Sequence, residues 1–389
     1  MLILCRILKI LKRVVYHPIK AIESIVTVSH INKMIKAESI KVLFYDRFRV
    51  HSVYSSPVLD NFLKVGGTAL YVVGEKEHPA LDDTSKYPGT IYLDKAFELF
   101  FRFIKVPLII TPASGFSPDA KHSHTKVGHI YHSPVSMHYI YGDKPFDGYD
   151  IFFAVGPHHV REVELLSALR GWEGRRCFQS GYPRIDIISK EHRKIEVSKE
   201  AGTKGTIAFA PSWGENNILR SHGLQIIKSL LDNQYRVILR PHKHSFDFDM
   251  DVIEEANNAF KKLDFELDET VSFAKIYSCD ILISDWSGIA YEFAFALGKP
   301  VVSVDVKGGQ KIQSVLNTKI DARPMEDVCR YEIGIVSQPE NVCAAVTKLI
   351  EEKSLVWAEK TKSARDKYLY NFGRSSKVIA EQIMSLIEP

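Results

Sequence analysis

Short apolar segments alternate with longer stretches of helical periodicity from about residue 40 onward. Few of these segments show the period-two alternation of a half-exposed strand, and most are rich in valine, isoleucine and phenylalanine. Such segments, separated by helices, predict parallel sheets that are covered on both faces. The predicted strands are residues 40–45, 69–73, 108–111, 127–131, 151–155, 176–180, 206–210, 236–239, 280–284, 301–304 and 334–336.

A polar segment, residues 189–204, contains no apolar run, and we interpret it as a linker between two doubly wound, Rossmann-type α/β domains. This predicts an N-terminal domain over residues 38–188 and a C-terminal domain over 205–370. A last helix within 371–389 can cap either domain. In open α/β sheets, ligands bind beyond the carboxyl ends of the strands. We therefore expect the two domains to face a cleft lined by residues that follow strands.

The N-terminal segment, residues 1–37, has a different pattern. It holds seven Lys or Arg and a single acid, Glu23, although the whole chain carries only +4. Arg6, Lys9 and Arg13 fall on one side of a predicted helix, and apolar residues cover the other side. This arrangement is typical of an amphipathic helix in the surface of an anionic membrane. The alternative is a helix packed on its own domain, which leaves the one-sided charge unexplained.

The overall composition is that of a globular protein, with 389 residues of which 45% are hydrophobic and 25% charged. A net charge of +4 over this length does not favour nucleic-acid binding. No apolar run reaches the length of a transmembrane helix. The five cysteines lack CxxC spacing, which indicates reduced thiols and a cytoplasmic protein.

The most informative candidate site follows the strand predicted at residues 280–284, where polar residues lead directly into a helix. The first N–H groups of such a helix, together with the positive end of its dipole, suit a diphosphate. The residues assigned to this phosphate site are Ser284, Asp285, Ser287 and Gly288. Glu292, one turn further, is assigned to ribose hydroxyls. A simple N-cap role for Asp285 or Ser287 is the alternative, but it leaves the combination of residues unexplained.

Two other strands of the C-terminal domain also end in polar residues. The strand at 236–239 is followed by Arg240 and His242, whose guanidinium fork and imidazole suit phosphate oxygens. A basic surface cluster is the alternative. The strand at 206–210 is followed by Ser212 and Trp213; we assign Ser212 to the ligand and Trp213 to packing.

The N-terminal domain contributes a histidine. Residues 121–138 contain five histidines, but no cysteine joins them and their spacing does not favour a metal site. His132 follows an apolar strand and is the candidate general base, with a histidine held by a backbone carbonyl as the alternative. Ser133 is assigned to the acceptor or to structure. Arg184 and Asp186 follow the last strand, where they either pair with each other or contact substrate.

In this order, the motifs resemble those of the CDP-glycerol glycerophosphotransferase family, which builds teichoic acids and related capsule or surface polymers. The similar segments are His132-Ser133-Pro134, 181–186, 210–213, 240–243 and 284–292. The chain departs from the family pattern after His132, where Ser-Pro replaces Gly-Thr-Pro, at Gly214, where arginine is usual, and at Gly288, where serine is usual. These departures border the acceptor and transferred-group region more than the nucleotide end.

The resemblance implies a GT-B-like fold, catalytic roles for His132 and His242, and peripheral attachment to the inner face of the plasma membrane. The expected reaction moves a polyol phosphate, such as glycerol phosphate, from a CDP-linked donor to a hydroxyl of a lipid-linked or growing surface polysaccharide. It releases CMP and needs no metal ion or other cofactor. The alternatives are a GT-B glycosyltransferase with a nucleotide-sugar donor and a non-catalytic nucleotide-sugar-binding scaffold protein.

Overall fold

The computed structural model describes residues 17–140, 144–194, 202–270, 272–306, 320 and 322–388. Within these residues the chain forms two parallel β-sheets flanked by helices, and it divides into two compact units. The first unit consists of Met1–His132, Asp143–Pro183 and Arg374–Pro389, and the second consists of Ser133–Gly142 and Arg184–Gly373. The two predicted doubly wound sheets are therefore confirmed.

The strands of the first unit are β1 (Val42–Asp46), β2 (Ala69–Val73), β3 (Ile91–Tyr92), β4 (Leu108–Thr111), β5 (Lys126–Ile130), β6 (Ile151–Ala154) and β7 (Arg176–Gln179). They form one parallel sheet in the order β3-β2-β1-β4-β5-β6-β7. The order reverses between β1 and β4, which makes this pair the switch point of a doubly wound fold. β1, β4 and β6 are buried along their whole length, as their unbroken runs predict.

The strands of the second unit are β8 (Thr206–Phe209), β9 (Arg236–Leu239), β10 (Phe265–Leu267), β11 (Ile281–Ser284), β12 (Val301–Val304) and β13 (Gly334–Ser337). They form a parallel sheet in the order β10-β9-β8-β11-β12-β13, with the switch point between β8 and β11. Side chains of the central strands form one core with the helices that cover them, including Phe209, Leu239 and Ile283.

The α-helices of the described residues, in chain order, are α1 (Pro18–Ala37), α2 (Ser52–Lys64), α3 (Pro79–Asp82), α4 (Met137–Ile140), α5 (Pro157–Arg170), α6 (Pro183–His192), α7 (Leu224–Asp232), α8 (Ser245–Phe248), α9 (Met250–Phe260), α10 (Ile289–Leu297), α11 (Glu326–Glu332), α12 (Val342–Glu351), α13 (Ser354–Tyr368) and α14 (Ser375–Ile387). Shorter 3₁₀ and π segments lie at Arg49–His51, Lys95–Phe103, Pro118–Ala120, Lys144–Phe146, Leu219–Gly223, Ala274–Ile276 and Pro339–Asn341. α10 ends at Gly298, whose φ of 71° lies in the left-handed region that favours glycine.

Two strands differ from the prediction because they are too short to form an apolar run. β3 and β10 have two and three residues and lie at the edges of their sheets. The other strands lie within one or two residues of the predicted bounds at each end. Strand ends vary in this way because the last residues of an apolar run need not join the hydrogen-bonded ladder.

The predicted linker, residues 189–204, begins too early. α6 continues to His192, so the first four residues of that segment are helical. Residues 195–201 lie outside the described residues. Residues 189–192 are polar, and the sequence pattern does not separate a polar helical turn from a linker.

The segment Ser133–Gly142 belongs to the second unit, although the prediction placed it in the N-terminal domain. The amide of Ser136 donates to Glu326 Oε2 at 3.3 Å, and the amide of Met325 donates to Ser136 Oγ at 2.8 Å. These partners are 190 and 189 residues away along the chain, so no local pattern reveals them.

The C-terminal helix α14 belongs to the first unit, which decides between the two domains that it could cap. Ile379 and Ile383 of α14 lie in the same buried apolar cluster as Val58 and Phe62 of α2. The chain therefore returns to its first unit after completing the second. The sequence left the choice of domain open, and the packing of α14 against α2 makes that choice.

Helix α1 is the described part of the predicted membrane-associating segment, and apolar residues occupy two of its faces. One face is buried in the first unit and consists of Ala21, Ser24, Val28, Ile31 and Ile35. Ile19, Ile22 and Val26, spaced three and four residues apart, are 73%, 61% and 63% exposed. Residues 1–16, which carry the predicted one-sided charge, lie outside the described residues. No helix in the described part of the chain is both long and apolar enough to span a bilayer.

Candidate functional site

The predicted site residues of the second unit follow three neighbouring strands. Ser212 lies after β8, His242 after β9 and Asp285 after β11, and these strands are adjacent in the order β9-β8-β11. Because parallel strands end at the same edge of a sheet, the loops that carry these residues meet there. This edge includes the β8–β11 switch point, where doubly wound sheets bind their ligands.

Asp285 and Ser212 are joined by two hydrogen bonds. Asp285 Oδ1 accepts the Ser212 amide at 2.6 Å, and Oδ2 accepts the Ser212 hydroxyl at 2.6 Å and the Ile218 amide at 3.1 Å. The carboxylate is almost fully buried. Both residues were assigned to the donor, but their side chains instead join the loop after β11 to the loop after β8. A buried carboxylate needs such donors, which explains why the two residues occur together.

Ser284 is also structural rather than phosphate-binding. Its hydroxyl donates to the Ala210 carbonyl at 2.7 Å, and the residue is completely buried. The bond connects the last residue of β11 with the residue after β8. The side chain therefore extends the sheet by one cross-strand contact and does not reach a ligand.

Ser287 and Gly288 remain at the start of α10, as predicted. An ideal Cβ on Gly288 would lie 2.8 Å from Ser133 Oγ, so a larger residue at this position would require the Ser133 hydroxyl to move. Ser133 and Gly288 belong to the same unit, and His132 is the residue before Ser133 in the chain. Ser133, the residue after the candidate base His132, therefore lies against the start of α10, where the diphosphate is predicted to bind. The sequence contains no signal for this contact.

The guanidinium of Arg240 is hydrogen-bonded to other residues of the protein. Its Nη1 donates to Asp268 Oδ2 at 2.7 Å and to the Ser272 carbonyl at 2.6 Å. Asp268 is completely buried, and burial lowers the pKa of Arg240 from its ordinary value. The predicted phosphate contact competes with this ion pair. Asp268 Oδ1 also accepts the amide and the hydroxyl of Thr270, so the carboxylate is held from both sides, and we interpret Arg240 as its structural partner.

Arg184, Asp186 and Glu292 pair differently from the prediction. Arg184 Nε donates to Glu292 Oε2 at 3.1 Å, with both side chains largely buried. Asp186 Oδ1 accepts the Gly373 amide at 2.6 Å. The ion pair joins α6 to α10. Glu292 of α10, assigned to ribose, therefore holds the Arg184 guanidinium.

His242 has a defined proton position. Its Nδ1 accepts the backbone amide of His244 at 3.2 Å. A backbone N–H can only donate, so in the neutral ring Nδ1 carries the lone pair and Nε2 carries the proton. Trp213, assigned to packing, is 38% exposed and stacks on His242, with ring centroids 6.1 Å apart. Its exposure is the feature that the sequence did not predict.

His132 has the opposite proton position. Its Nδ1 lies 2.7 Å from the Pro112 carbonyl, which can only accept, so Nδ1 carries the proton and Nε2 the lone pair. The predicted alternative, a backbone-bonded histidine, is therefore present at Nδ1. Burial lowers the pKa of His132 below its ordinary 6.5, and the Arg47 guanidinium lowers the pKa further. A neutral ring with Nε2 as acceptor is what a general base requires.

Other side chains surround His132 that sequence reasoning missed. The rings of His51 and His129 lie 5.8 Å and 6.3 Å from it, and burial lowers the pKa of each below 6.5. Arg47 donates two hydrogen bonds to the Glu98 carboxylate, at 2.6 and 2.7 Å. Among the residues that the structure describes, no three histidine, cysteine or acidic side chains are grouped as metal ligands.

A family profile described as CDP-glycerol:poly(glycerophosphate) glycerophosphotransferase matches residues 144–307. This stretch includes both strand-end loops with His242 and Asp285 and the start of α10. The matched stretch is less than half of the chain, and over this stretch the chain is similar to that family. His132 lies before the matched stretch, so its role depends on the geometry of its own hydrogen bond and surroundings.

The chain is also similar in sequence to a relative whose activity is described. The chain is 29% identical, over 140 residues, to a teichoic acid poly(glycerol phosphate) polymerase of Bacillus spizizenii (strain ATCC 23059 / NRRL B-14472 / W23). The match covers 32% of this chain and 34% of the polymerase. The chain thus spans about a third of the length of that relative.

Solved structures confirm the fold class. The wall teichoic acid polymerase TagF, determined after a soak with CDPG, is 15% identical, with a TM-score of 0.56 over 98% of this chain and 97% of that chain. A UDP-GlcNAc 2-epimerase from Neisseria meningitidis bound to UDP-GlcNAc is 16% identical, with a TM-score of 0.62 over 89% of this chain and 100% of that chain. At these identities the likeness concerns the fold, and the predicted GT-B-like class is confirmed.

Proposed function

We propose that the protein transfers a polyol phosphate, in the simplest case glycerol phosphate, from a CDP-linked donor. The acceptor is a hydroxyl of a lipid-linked glycan or growing surface polymer, and CMP is released. The match of residues 144–307 to the glycerophosphotransferase profile supports the polyol phosphate. The likeness to a poly(glycerol phosphate) polymerase and to a polymerase crystallised with CDPG supports the donor.

In this proposal the second unit binds the donor. The amides of Ser287 and Gly288, with the positive end of α10, hold the diphosphate. Nε2–H of His242 donates to a phosphate oxygen. The Arg184–Glu292 pair is the candidate for the ribose. Arg240, together with Asp268, keeps the loop after β9 in place.

The proposed step is an in-line phosphoryl transfer. The acceptor oxygen forms a bond to the phosphorus of glycerol phosphate, and His132 Nε2 takes the hydroxyl proton. The bond from that phosphorus to the bridging oxygen breaks, and CMP leaves with the electron pair. His242 stabilises the negative charge that develops on the phosphoryl oxygens, where well-placed donors have their largest effect.

This proposal rests on the opposite proton positions of His132 and His242. The Pro112 carbonyl gives His132 a basic Nε2, whereas the His244 amide gives His242 a donating Nε2. One acceptor for a proton and one donor to a phosphate are the two groups that the reaction needs.

The proposal is tested by incubating the protein with CDP-glycerol, CDP-ribitol, UDP-glucose and a lipid-linked acceptor. We expect CMP release from a CDP-linked polyol and a new phosphodiester in the product, detected by ³¹P NMR. Release of UDP with a glycosidic bond in the product would identify a sugar transferase instead. Binding of the donors without release of any nucleotide would identify a binding protein.

We also infer that the N-terminal part of the chain attaches the protein to the inner face of the plasma membrane. The exposed stripe of Ile19, Ile22 and Val26 on α1 supports this, because burial of an isoleucine in an apolar layer stabilises binding by about 1.5–3 kcal/mol. The basic excess of residues 1–37 complements anionic lipid.

Replacing the stripe gives a direct prediction. The double variant Ile22→Glu, Val26→Glu should bind vesicles of anionic phospholipid at least roughly tenfold more weakly, because each change removes apolar contact and adds like charge. Co-sedimentation with vesicles measures the partition. Leu355→Glu, at a position 74% exposed in the second unit, is the control and should bind like the unchanged protein. Unaltered binding of the double variant would contradict the role of this stripe.

A further inference from the structure

Trp213 occupies an unusual place for a tryptophan. It is 38% exposed, yet its ring contacts three aromatic side chains rather than the apolar core. The planes of Trp213 and His242 are 26° apart, and those of Trp213 and Phe248 are 25° apart with centroids separated by 5.6 Å. His244 lies 4.9 Å away. The indole thus packs against both the imidazole of His242 and the exposed phenyl ring of Phe248.

The loop that carries Trp213 is anchored on both sides. Before it, Ser212 is bound through its amide and hydroxyl to the buried Asp285. After it, Gly214 adopts a φ of 98°, its carbonyl accepts Asn217 Nδ2 at 2.7 Å, and that nitrogen also donates to the buried Asp249 at 3.0 Å. Two buried carboxylates therefore determine where the indole ring lies.

The imidazole of His242 is partly exposed and follows the end of β9. The bond from the His244 amide, at 3.2 Å, fixes the position of Nδ1. A bond to one ring atom does not set the plane of the ring, because the ring can turn about the line of that bond. A flat partner stacked on the imidazole restricts this rotation, and aromatic pairs with offset planes are favourable. Catalytic groups need orientations held within about 10–20°.

We propose that Trp213 is a positioning residue for His242. The indole holds the imidazole plane so that Nδ1 accepts the His244 amide and Nε2 presents its proton to the donor phosphate. This inference rests on the proposed function for its kinetic consequence. The orientation of the ring itself does not depend on which donor the protein uses.

The kinetic test compares Trp213→Ala with Trp213→Phe in the full chain. Misplaced catalytic groups lower rates by up to about 10²-fold, so Trp213→Ala should lower kcat by roughly 10- to 100-fold. KM for CDP-glycerol should stay nearly unchanged, and Trp213→Phe should restore most of kcat. Tyr331→Ala removes another exposed aromatic ring of the second unit and should leave kcat unchanged. Circular dichroism verifies folding, with Trp213→Leu used if the alanine variant does not fold.

The spectroscopic test is independent of activity. ¹⁵N NMR of the histidine rings, with His242 assigned from the His242→Gln variant, reports which nitrogen carries the proton. We expect the Nε2–H form in the unchanged protein and in Trp213→Phe, and a mixture of both forms in Trp213→Ala. An unchanged ring in Trp213→Ala, or an unchanged kcat, would overturn the positioning role. Absence of turnover in the unchanged protein, with the expected ring signals, would instead reject the proposed function.

Discussion

His132→Ala is expected to lower kcat for glycerol phosphate transfer by roughly 10²–10³-fold while donor binding is retained. The residue supplies the lone pair of Nε2, because its Nδ1–H is committed to the Pro112 carbonyl. Alanine removes the proton acceptor without filling the space with another base. CMP release measures kcat, and calorimetry with CDP-glycerol measures donor affinity.

His124→Ala is the matched control. His124 lies on the surface of the same histidine-rich segment and should be replaceable without loss of kcat. His132→Gln keeps a side chain of similar length but no base, and it should be as slow as the alanine variant. Turnover of His132→Ala within about threefold of the unchanged protein would exclude the base role, since general bases contribute far more.

The pH dependence of the unchanged protein follows from the same residue. His132 acts as a base only when neutral, and its pKa lies below the ordinary 6.5. We therefore expect kcat/KM to stay level as pH falls to 6.5 and to decrease only at lower pH. His51 and His129 also have lowered pKa values, so the first unit loses stability as pH falls below 6.5. Unfolding measured at each pH separates this loss from the titration of the base.

Asp285→Ala is expected to lower the unfolding free energy of the second unit by about 3 kcal/mol. The substitution leaves the Ser212 amide, the Ser212 hydroxyl and the Ile218 amide without their shared acceptor in a buried place. The loops after β8 and β11 then lose their connection, and donor affinity should fall with stability. Urea denaturation followed by tryptophan fluorescence measures the change.

Ser212→Ala tests the same contact from the other side. It removes only the hydroxyl bond and leaves the two amide bonds to Asp285, so its effect should be about 1–2 kcal/mol. A hydrogen bond to a charged acceptor lies in this range. Equal stability of Asp285→Ala and the unchanged protein would mean that water replaces the carboxylate at no cost, and would contradict the structural role of Asp285.

The strands were predictable because burial on both faces leaves a continuous apolar run. β2, β4, β9 and β12 have the predicted bounds residue for residue. The helix end at Gly298 was predictable for a related reason, since a local left-handed conformation favours one residue type. The edge strands β3 and β10 were not, because a two- or three-residue strand contains too little pattern.

The candidate site was predictable only in part. That polar residues follow β8, β9 and β11 is visible in the chain, and sheet order then brings them to one edge. Which side chains bind one another is not visible. Arg240 pairs with Asp268, 28 residues away, and Arg184 pairs with Glu292, 108 residues away. Several carboxylates are chemically equivalent as partners for an arginine. The positions of the side chains in the folded chain decide which carboxylate binds.

By itself, the sequence determined two doubly wound sheets and the strand ends that carry the polar residues. These follow from periodicity and composition, which are properties of neighbouring residues. The tertiary structure alone decided that Asp285 and Ser212 bind each other, that Ser133 lies against Gly288, and that the two histidines hold their protons on opposite nitrogens. Such contacts depend on atoms that meet only after the chain has folded, so no local pattern encodes them.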